Sequence, residues 1–409
     1  MQPQGEEISS NQRLGQKGVK TDMIINLYNT KELLIAVTGI CGEISQDLTI
    51  PEVADGTIRN CITAMRKEKI FFVNKKTRIV RFRWGKEGRE GIKKIDSRLY
   101  AHYILMTNDH TFKSGEKNNE RMREISEVSL FFLLSQKHVD NIKLRHSINN
   151  FGKLEQERIT VQDGKVFPDI GDILDIKSII ENIPEDEGYF YNAKIFKKVF
   201  SSNATSRINM SKAIGLYMSG GNTYTVYGQS LIQDKSTRTA EKAMRDFSFR
   251  ASEYAYGKET MQENQRKAPN GSAIILIKDN KREYKKEVKA VIKSKNFLLD
   301  RIFTSYYLVP DGENGRKIIE LIGKKDWQER LNRSLYGKNT EEHGKNDGYT
   351  KDGRRSWELL SCNYKKIREI NKSVSPEEEI DIICFKWQRD LIEELTKDRK
   401  ATIRTASIG

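Results

Sequence analysis

The segment GTIRNCITAMRKEKIFFVNKKTRIVRFRWGKEGREGIKK, residues 56–94, is the stretch from which the fold and the role of this chain are best predicted. It carries 13 Lys or Arg against 3 Glu, a local net charge of +10, whereas the whole chain of 409 residues carries +15. A basic excess concentrated in one short segment indicates a surface that faces a polyanion. The pattern is that of an amphipathic helix, a short apolar strand, a Lys-rich turn and an alternating basic strand. This order is typical of a winged helix-turn-helix, so double-stranded DNA is the first candidate partner.

The first part of the segment predicts a helix with two unlike faces. Ile58, Cys61, Ile62 and Met65 recur at helical spacing and are expected to point inward. Arg and Asn side chains can read the edges of bases, while Thr and Lys side chains hold phosphates. The helix residues that we expect to contact DNA are Thr57, Arg59, Asn60, Thr63, Arg66 and Lys67.

The second part predicts a β-hairpin that serves as the wing. Residues 71–73 form the first strand and residues 78–84 form the return strand, in which basic and apolar residues alternate. The hairpin residues that we expect to contact DNA are Lys75, Lys76, Arg78, Arg81 and Arg83. Two other interpretations remain open at this point: a solvated basic face, and a winged fold that binds another protein.

Composition indicates a protein of two or three domains without a membrane segment. Hydrophobic residues make up 37% of the chain, charged residues 32%, and the mean hydropathy is −0.68. No apolar run approaches the roughly 20 residues that span a bilayer, so we expect a cytoplasmic protein. The four cysteines contain no CxxC pair, which favours reduced thiols over a zinc site. We expect no cofactor and no bound metal.

The domain organisation follows from shifts in composition. We expect a flexible arm over residues 1–20, a winged-helix domain with following helices over 21–150, an acidic connector over 151–188 and a C-terminal α/β domain over 189–409. In that last domain, strand-like runs at 273–278, 305–309, 317–322 and 379–385 alternate with helical patterns. Such alternation predicts a three-layer α/β domain with a largely buried sheet. The Gly- and Asn-rich residues 333–356 are expected to form a long mobile loop.

A nuclease is the alternative for the C-terminal domain. Metal-dependent cleavage of DNA requires two or three carboxylates and a lysine that converge on adjacent strands. The candidates are Asp311, then Glu320 on the predicted strand 317–322, then Lys324. A lysine two positions after the acid would share its face of the strand, but Ile322 stands there. The sequence therefore favours binding without catalysis over an Mg²⁺-dependent endonuclease.

The whole layout resembles the replication-relaxation family and related winged-helix proteins of plasmids and conjugative elements in Gram-positive bacteria. The stretches that carry the resemblance are IRNCITAMRKEKI (58–70), RFRWGKEGREGIKKI (81–95), RMREISEVSLFFLL (121–134), TSRINMSKAIGLYMSGGNTYTVY (205–227), WELLSCNYKKIREI (357–370) and EIDIICFKWQRDLIEEL (379–395). The resemblance implies a DNA-binding protein of a mobile genetic element whose second domain is related to a degenerate restriction-endonuclease-like fold.

The residues predict a sequence-preferring double-stranded DNA-binding protein without catalysis of its own, and the resemblance implies that it acts in plasmid replication, relaxation, transfer or its regulation. Its C-terminal domain is expected to form a homodimer or to recruit a relaxase or replication proteins of the same element. The alternatives are the endonuclease described above and an accessory factor whose winged helix binds protein.

Overall fold

The computed structural model of the chain describes residues 30–41, 43–51, 53–74, 76–83, 116–135, 161–162, 165–166, 188–193, 196–197, 208–219, 222–233, 238–256, 271–294, 298–337 and 346–407. The architecture is mixed α+β, with three sheets of three or more strands. The predicted arm and most of the predicted acidic connector lie outside the described residues. None of the helices in the described part of the chain combines the length and apolarity that crossing a membrane requires.

The first unit is built on a three-stranded antiparallel sheet. Its elements, in chain order, are α1 (Thr30–Cys41), β1 (Glu43–Ser45), α2 (Asp55–Lys67), β2 (Phe71–Asn74) and β3 (Ile79–Phe82). Strand β3 lies between β1 and β2, and β2 and β3 form the predicted hairpin. Apolar side chains of α1 and α2 are buried together with Phe71, Val80 and Phe82 of the hairpin. The helix and hairpin predicted for residues 56–83 are confirmed.

Helix α3 (Glu116–Ser135) follows. The helix is buried on more than one face, because the five consecutive residues from Val128 to Phe132 are all buried. A helix turns once every 3.6 residues, so five buried residues in a row cover its whole circumference. On one side Ser45 N–H donates to Ser126 Oγ, at 3.4 Å. On another, Phe132 stacks on Phe190 of the next sheet, with 4.6 Å between ring centroids.

A five-stranded mixed sheet forms the centre of the C-terminal part. After the short pair β4 (Val161–Gln162) and β5 (Lys165–Val166), its elements in chain order are β6 (Gly188–Asn192), β7 (Gly215–Ser219), β8 (Asn222–Gly228), α4 (Ser230–Gln233), α5 (Arg238–Tyr256), β9 (Ser272–Ile277), α6 (Lys281–Lys293), α7 (Leu299–Ile302) and β10 (Ser305–Pro310). The strand order is β10-β9-β8-β7-β6, antiparallel from β6 to β8 and parallel from β8 to β10. Nearly every residue of β7 to β10 is buried, so both faces of the sheet are covered, as predicted.

A second, four-stranded sheet completes the chain. Its elements are α8 (Glu313–Ile322), α9 (Trp327–Tyr336), β11 (Gly348–Tyr349), β12 (Arg355–Glu358), α10 (Lys365–Ser373), β13 (Ile380–Cys384), α11 (Arg389–Leu395) and β14 (Ala401–Thr405). Strand β12 runs antiparallel to β11 and parallel to β13, which runs parallel to β14. The two sheets meet where Leu308 N–H donates to Cys362 O, at 3.0 Å.

Two sequence predictions for this region are wrong. Residues 317–322 belong to helix α8 rather than to a strand, with Ile318, Ile319 and Ile322 buried at helical spacing. A short apolar run fits a buried helix as well as a strand, so periodicity could not separate the two. The predicted loop 333–356 contains the end of α9, strand β11 and the first two residues of β12, while its residues 338–345 lie outside the described residues. Its glycines include Gly337 and Gly353, whose φ angles of 59° and 83° belong to turns.

The burial of α3 predicts a large loss of stability when its aromatic contact is removed. Phe132 is fully buried against Phe190 and Tyr217, so Phe132→Ala should lower the free energy of unfolding by about 3–5 kcal/mol. The matched control is Phe72→Ala, because Phe72 is 43% exposed. Phe72→Ala should lower the free energy of unfolding by less than about 1 kcal/mol in the same denaturant titration. Equal losses in the two variants would contradict the central position of α3.

Candidate nucleic-acid interface

Helix α2 presents one line of basic and polar side chains to solvent. Ile58, Ile62 and Met65, on its back, are 1% exposed or less. Residues at spacings of four and three lie in one line along a helix. Arg59, Thr63 and Arg66 have these spacings, and all three are exposed. The sequence prediction of one buried and one basic face is therefore confirmed for this helix.

A second line lies beside the first. Asn60 and Lys67 are seven residues apart, which is two helical turns, and both are exposed. Thr57 is exposed in the first turn of the helix, where Thr57 N–H donates to Ala54 O. The helix has 13 residues and is therefore roughly 20 Å long. A helix of this length can enter a B-DNA major groove, which is about 12 Å wide.

The hydroxyl of Thr63 is already engaged within the helix. Thr63 Oγ1 donates to Arg59 O at 2.8 Å. A phosphate oxygen can only accept a hydrogen bond, so this conformation of Thr63 does not offer it a hydrogen. The predicted phosphate contact of Thr63 therefore requires rotation of its side chain. Arg66 and Lys67 are exposed, so their predicted phosphate contacts require no such change.

The hairpin turn is organised by the side chain of Asn74. Its Oδ1 accepts from Lys76 N–H at 3.0 Å and from Thr77 N–H at 3.3 Å. Arg78 N–H donates to Asn74 O at 2.8 Å. These bonds close the turn and leave the side chains of Lys76 and Arg78 exposed. Lys75, which we also predicted to contact DNA, lies outside the described residues.

Arg78 fixes the hairpin to the segment that follows β1. Gln46 N–H donates to Arg78 O at 2.7 Å, and Arg78 Nη2 lies 2.5 Å from Asp47 Oδ1. The side chains are 54% and 37% exposed, and ion pairs at such positions add little stability. Arg78 also has a φ of 55°, in the left-handed region that costs non-glycine residues energy. The sequence did not reveal the Asp47 contact, because its two partners are 31 residues apart.

Arg81 and Arg83 lie on the outer side of the return strand. Val80 and Phe82 are buried between and beside them, so the predicted alternation is confirmed. The Arg81 guanidinium lies 5.0 Å from the centroid of the exposed Phe72 ring, its cross-strand neighbour. Such a contact holds the guanidinium over an aromatic face. Arg81 is partly buried, and Arg83 is exposed at the end of the hairpin.

We call the set formed by Thr57, Arg59, Asn60, Thr63, Arg66, Lys67, Lys76, Arg78, Arg81 and Arg83 the basic surface. It carries seven cations. Four acidic residues lie near it in the described sequence, namely Glu43, which is the cross-strand neighbour of Arg81, and Asp47, Asp55 and Glu68. Asp47 pairs with Arg78, and Glu68 pairs with Lys31 at 2.9 Å. The surface therefore keeps a clear positive excess, which attracts a polyanion.

The three residues of the predicted nuclease centre do not lie on adjacent strands. Asp311 follows β10, while Glu320 lies in helix α8 and Lys324 follows the end of that helix. Glu320 lies seven residues after Glu313, which is about 10 Å along the helix, and this distance separates Glu320 from the strand end. Asp311 instead accepts from Asp279 N–H at 2.6 Å and lies 3.1 Å from Lys278 Nζ.

The charges around Asp311 shift the pKa values of its neighbours. Burial, together with the charge of Asp311, raises the pKa of Asp279. Burial by itself lowers the pKa of Lys278, and the charges of Glu127 and Asp311 more than reverse this effect. Lys278 is thus held as a cation by two carboxylates. In the part of the chain that the structure describes, no group of three His, Cys, Asp or Glu is placed to hold a metal ion.

Comparisons with protein-family models, with curated proteins and with solved structures found no match to this chain.

The conformation of Arg78 predicts different effects for two substitutions that remove the same charge. Glycine adopts a φ of 55° without strain, whereas alanine does not. Arg78→Gly should therefore be more stable than Arg78→Ala by about 1–2 kcal/mol in thermal or denaturant unfolding. Both variants lack the guanidinium and should lose the same DNA affinity. If Arg78→Ala proves as stable as Arg78→Gly, the backbone at position 78 is not strained and the prediction is wrong.

Proposed function

We propose that this protein binds double-stranded DNA through the basic surface, with α2 in the major groove and the β2–β3 hairpin against the backbone. The observation that carries the proposal is the exposed line Arg59, Thr63 and Arg66, backed by a buried apolar face and flanked by a basic turn. Helices that read DNA place base-contacting residues near their N-terminus. Arg59 and Asn60 hold that position, so we assign them to base edges.

The order α1–β1–α2–β2–β3, with its three-stranded antiparallel sheet, supports the interpretation of this unit as a winged helix. The resemblance of the sequence to replication-relaxation proteins supports a role in the replication, relaxation or transfer of a plasmid or conjugative element. On this proposal a relaxase or a replication protein of the same element, or a second copy of the chain, is the protein partner.

Salt dependence tests whether the basic surface binds phosphates. Six to eight phosphate contacts should give a log–log slope of affinity against salt of about −5 to −7 on duplex DNA. Replacing Lys76 and Arg78 with Ala should flatten this slope by about two units, because each removes one phosphate contact. The matched control is Lys281→Ala with Lys317→Ala, two exposed lysines outside the basic surface, and should leave the slope unchanged. A slope near zero in the parent protein would favour the accessory-factor alternative.

Sequence preference tests the assignment of Arg59 and Asn60. After selection of a preferred site from random duplexes, Arg59→Ala or Asn60→Ala should weaken binding to that site by about 1–3 kcal/mol. Binding to random DNA should change much less, because a base contact contributes only where the matching base is present. Equal losses on both DNAs, measured by fluorescence anisotropy at fixed salt, would show that these residues contact phosphate alone.

A further inference from the structure

Strand β14 (Ala401–Thr405) forms one edge of the four-stranded sheet. Within the part of the chain that the structure describes, it pairs with β13 alone. Three of its five residues are exposed, and the other two are half-buried. An exposed edge strand presents unpaired backbone N–H and C=O groups, which can pair with a strand of another chain.

Three other sheet edges are covered or short. At the edge formed by β10, Leu308 N–H donates to Cys362 O at 3.0 Å. At the edge formed by β1, Ser45 N–H donates to Ser126 Oγ at 3.4 Å. The opposite edge strand of the four-stranded sheet, β11, has two residues. Edge strands are often protected by proline, but residues 401–405 contain none.

The hydrogen bonds between β14 and β13 show which backbone groups of β14 face outward. Ile380 N–H donates to Lys400 O at 3.0 Å, and Ala406 N–H donates to Cys384 O at 3.0 Å. In a parallel pair, the residues of one strand that bond to the other strand occur at every second position. The bonds to β13 therefore use the even-numbered residues of 400–406. The residues whose N–H and C=O groups point away from the sheet, which we call the β14 edge, are Ala401, Ile403 and Thr405.

The β14 edge is complementary to itself. We consider antiparallel pairing with a second copy about a two-fold axis at Ile403. Ile403 then faces Ile403 of the second copy, and Ala401 faces Thr405 of the second copy. Each facing pair of outward residues exchanges two hydrogen bonds, so about six bonds join the two strands. A two-fold axis of this kind gives a closed dimer rather than an open chain of molecules.

Charge favours this register over its two neighbours. An axis at Arg404 would place this side chain directly opposite its own copy, where like charges are destabilising. With the axis at Ile403, Arg404 faces Thr402 of the second copy instead. Arg404 also keeps its partner Asp381, whose Oδ2 lies 2.5 Å from Arg404 Nη2. An axis at Thr402 would leave Thr405 opposite a residue beyond the strand, and fewer backbone groups would be paired.

Half-buried apolar side chains lie along the same edge. They pack against the core and remain partly exposed, and they are Leu395, Ala401, Ile403 and Ala406. Pairing of two copies would remove part of this apolar surface from water and would bring two Ile403 side chains together across the strands. Two five-residue strands make a small interface, and interfaces below about 1,200 Å² are typical of reversible complexes.

We propose that two copies of the chain pair through the β14 edge, so that their four-stranded sheets form one continuous sheet of eight strands, four from each copy. The partner is a second copy because the edge pairs with itself without placing like charges opposite each other. This association goes beyond the proposed function and does not depend on DNA binding.

Sedimentation equilibrium of the full chain tests the association. The mass should rise with protein concentration from 47.3 kDa toward twice that value. Ile403→Lys should stay at 47.3 kDa, because two lysines would stand directly opposite each other. The matched control, Ala290→Lys, adds the same charge at an exposed helix position and should associate like the parent. A parent protein that remains monomeric up to about 200 μM overturns the proposal, and so does an Ile403→Lys variant that associates like the parent.

Two proline substitutions in the same strand test the direction of the backbone groups. Thr402 and Thr405 are both exposed, but only Thr402 N–H points toward β13. Thr405→Pro should abolish association and keep the unfolding temperature of the monomer, because proline is tolerated where the N–H faces outward. Thr402→Pro should lower that temperature, because it removes a bond of the β13–β14 ladder. A Thr405→Pro variant that associates like the parent, or that is destabilised as much as Thr402→Pro, overturns the proposal.

Residue-resolved hydrogen exchange identifies what covers the β14 edge. The amides of Ala401, Ile403 and Thr405 should exchange fast in dilute protein and slowly in concentrated protein, whereas those of Thr402 and Arg404 should exchange slowly in both. Fast exchange of the outward amides at every concentration overturns the proposal. Slow exchange at every concentration would show that another segment of the same chain covers the edge, which also overturns it.

Circular dichroism of each variant protects these conclusions. It shows whether the substituted protein folds before its mass is measured. If Ile403→Lys does not fold, Thr405→Pro is the deciding variant, because its side chain is exposed and its N–H makes no bond to β13.

Discussion

The burial of helix α3 by two different sheets is the constraint on which the rest of the structure depends. Its residues contact the three-stranded sheet through Ser126 and the five-stranded sheet through Phe132. Serines at positions 126 and 129 are small and fully buried, which lets neighbouring backbones approach closely. Their hydroxyls remain polar, and Ser126 Oγ satisfies its hydrogen by donating to Met122 O at 2.7 Å. Neither sheet can lose this helix without exposing a large apolar surface to water.

Charged contacts fix the direction in which α3 lies on the larger sheet. Glu124 accepts from Ser230 N–H at 2.8 Å and from Ser230 Oγ at 2.7 Å, at the start of α4. Glu127 lies 2.8 Å from Lys278 Nζ, beyond the end of β9. These contacts lie at the carboxyl ends of β8 and β9, where ligands of parallel sheets commonly bind. Through α3, the three-stranded sheet that carries the basic surface is therefore connected to the C-terminal sheet.

The turn between β12 and α10 plays a comparable part for the buried ion pairs that Lys366 forms with Asp347 and Glu358. Gln388 Nε2 donates to Leu359 O at 3.0 Å and to Tyr364 Oη at 3.0 Å, and Tyr284 Oη donates to Leu308 O at 2.6 Å. These buried bonds join the two sheets around one turn. Burial raises the pKa of Tyr284 and Tyr364, so both stay neutral hydrogen-bonding groups. A polar network of this kind specifies one arrangement of the core, because every alternative leaves a buried group unpaired.

The sequence by itself determined the helix and hairpin of the basic surface, because one face is apolar at helical spacing and the next segment alternates at period two. It also determined the buried strands β9, β10 and β13. It did not distinguish a strand from a helix at residues 317–322, since a run of six residues with four apolar positions fits both. Only the tertiary structure decided which charges meet. Asp47 pairs with Arg78. Asp347 pairs with Lys366 and accepts a hydrogen bond from Glu358 N–H. Turns and sheet pairing bring these residues together, and no local sequence pattern encodes that geometry. Asp311, Glu320 and Lys324 were the nuclease candidates of the sequence, yet Glu320 lies within helix α8, with Asp311 before the helix and Lys324 after it.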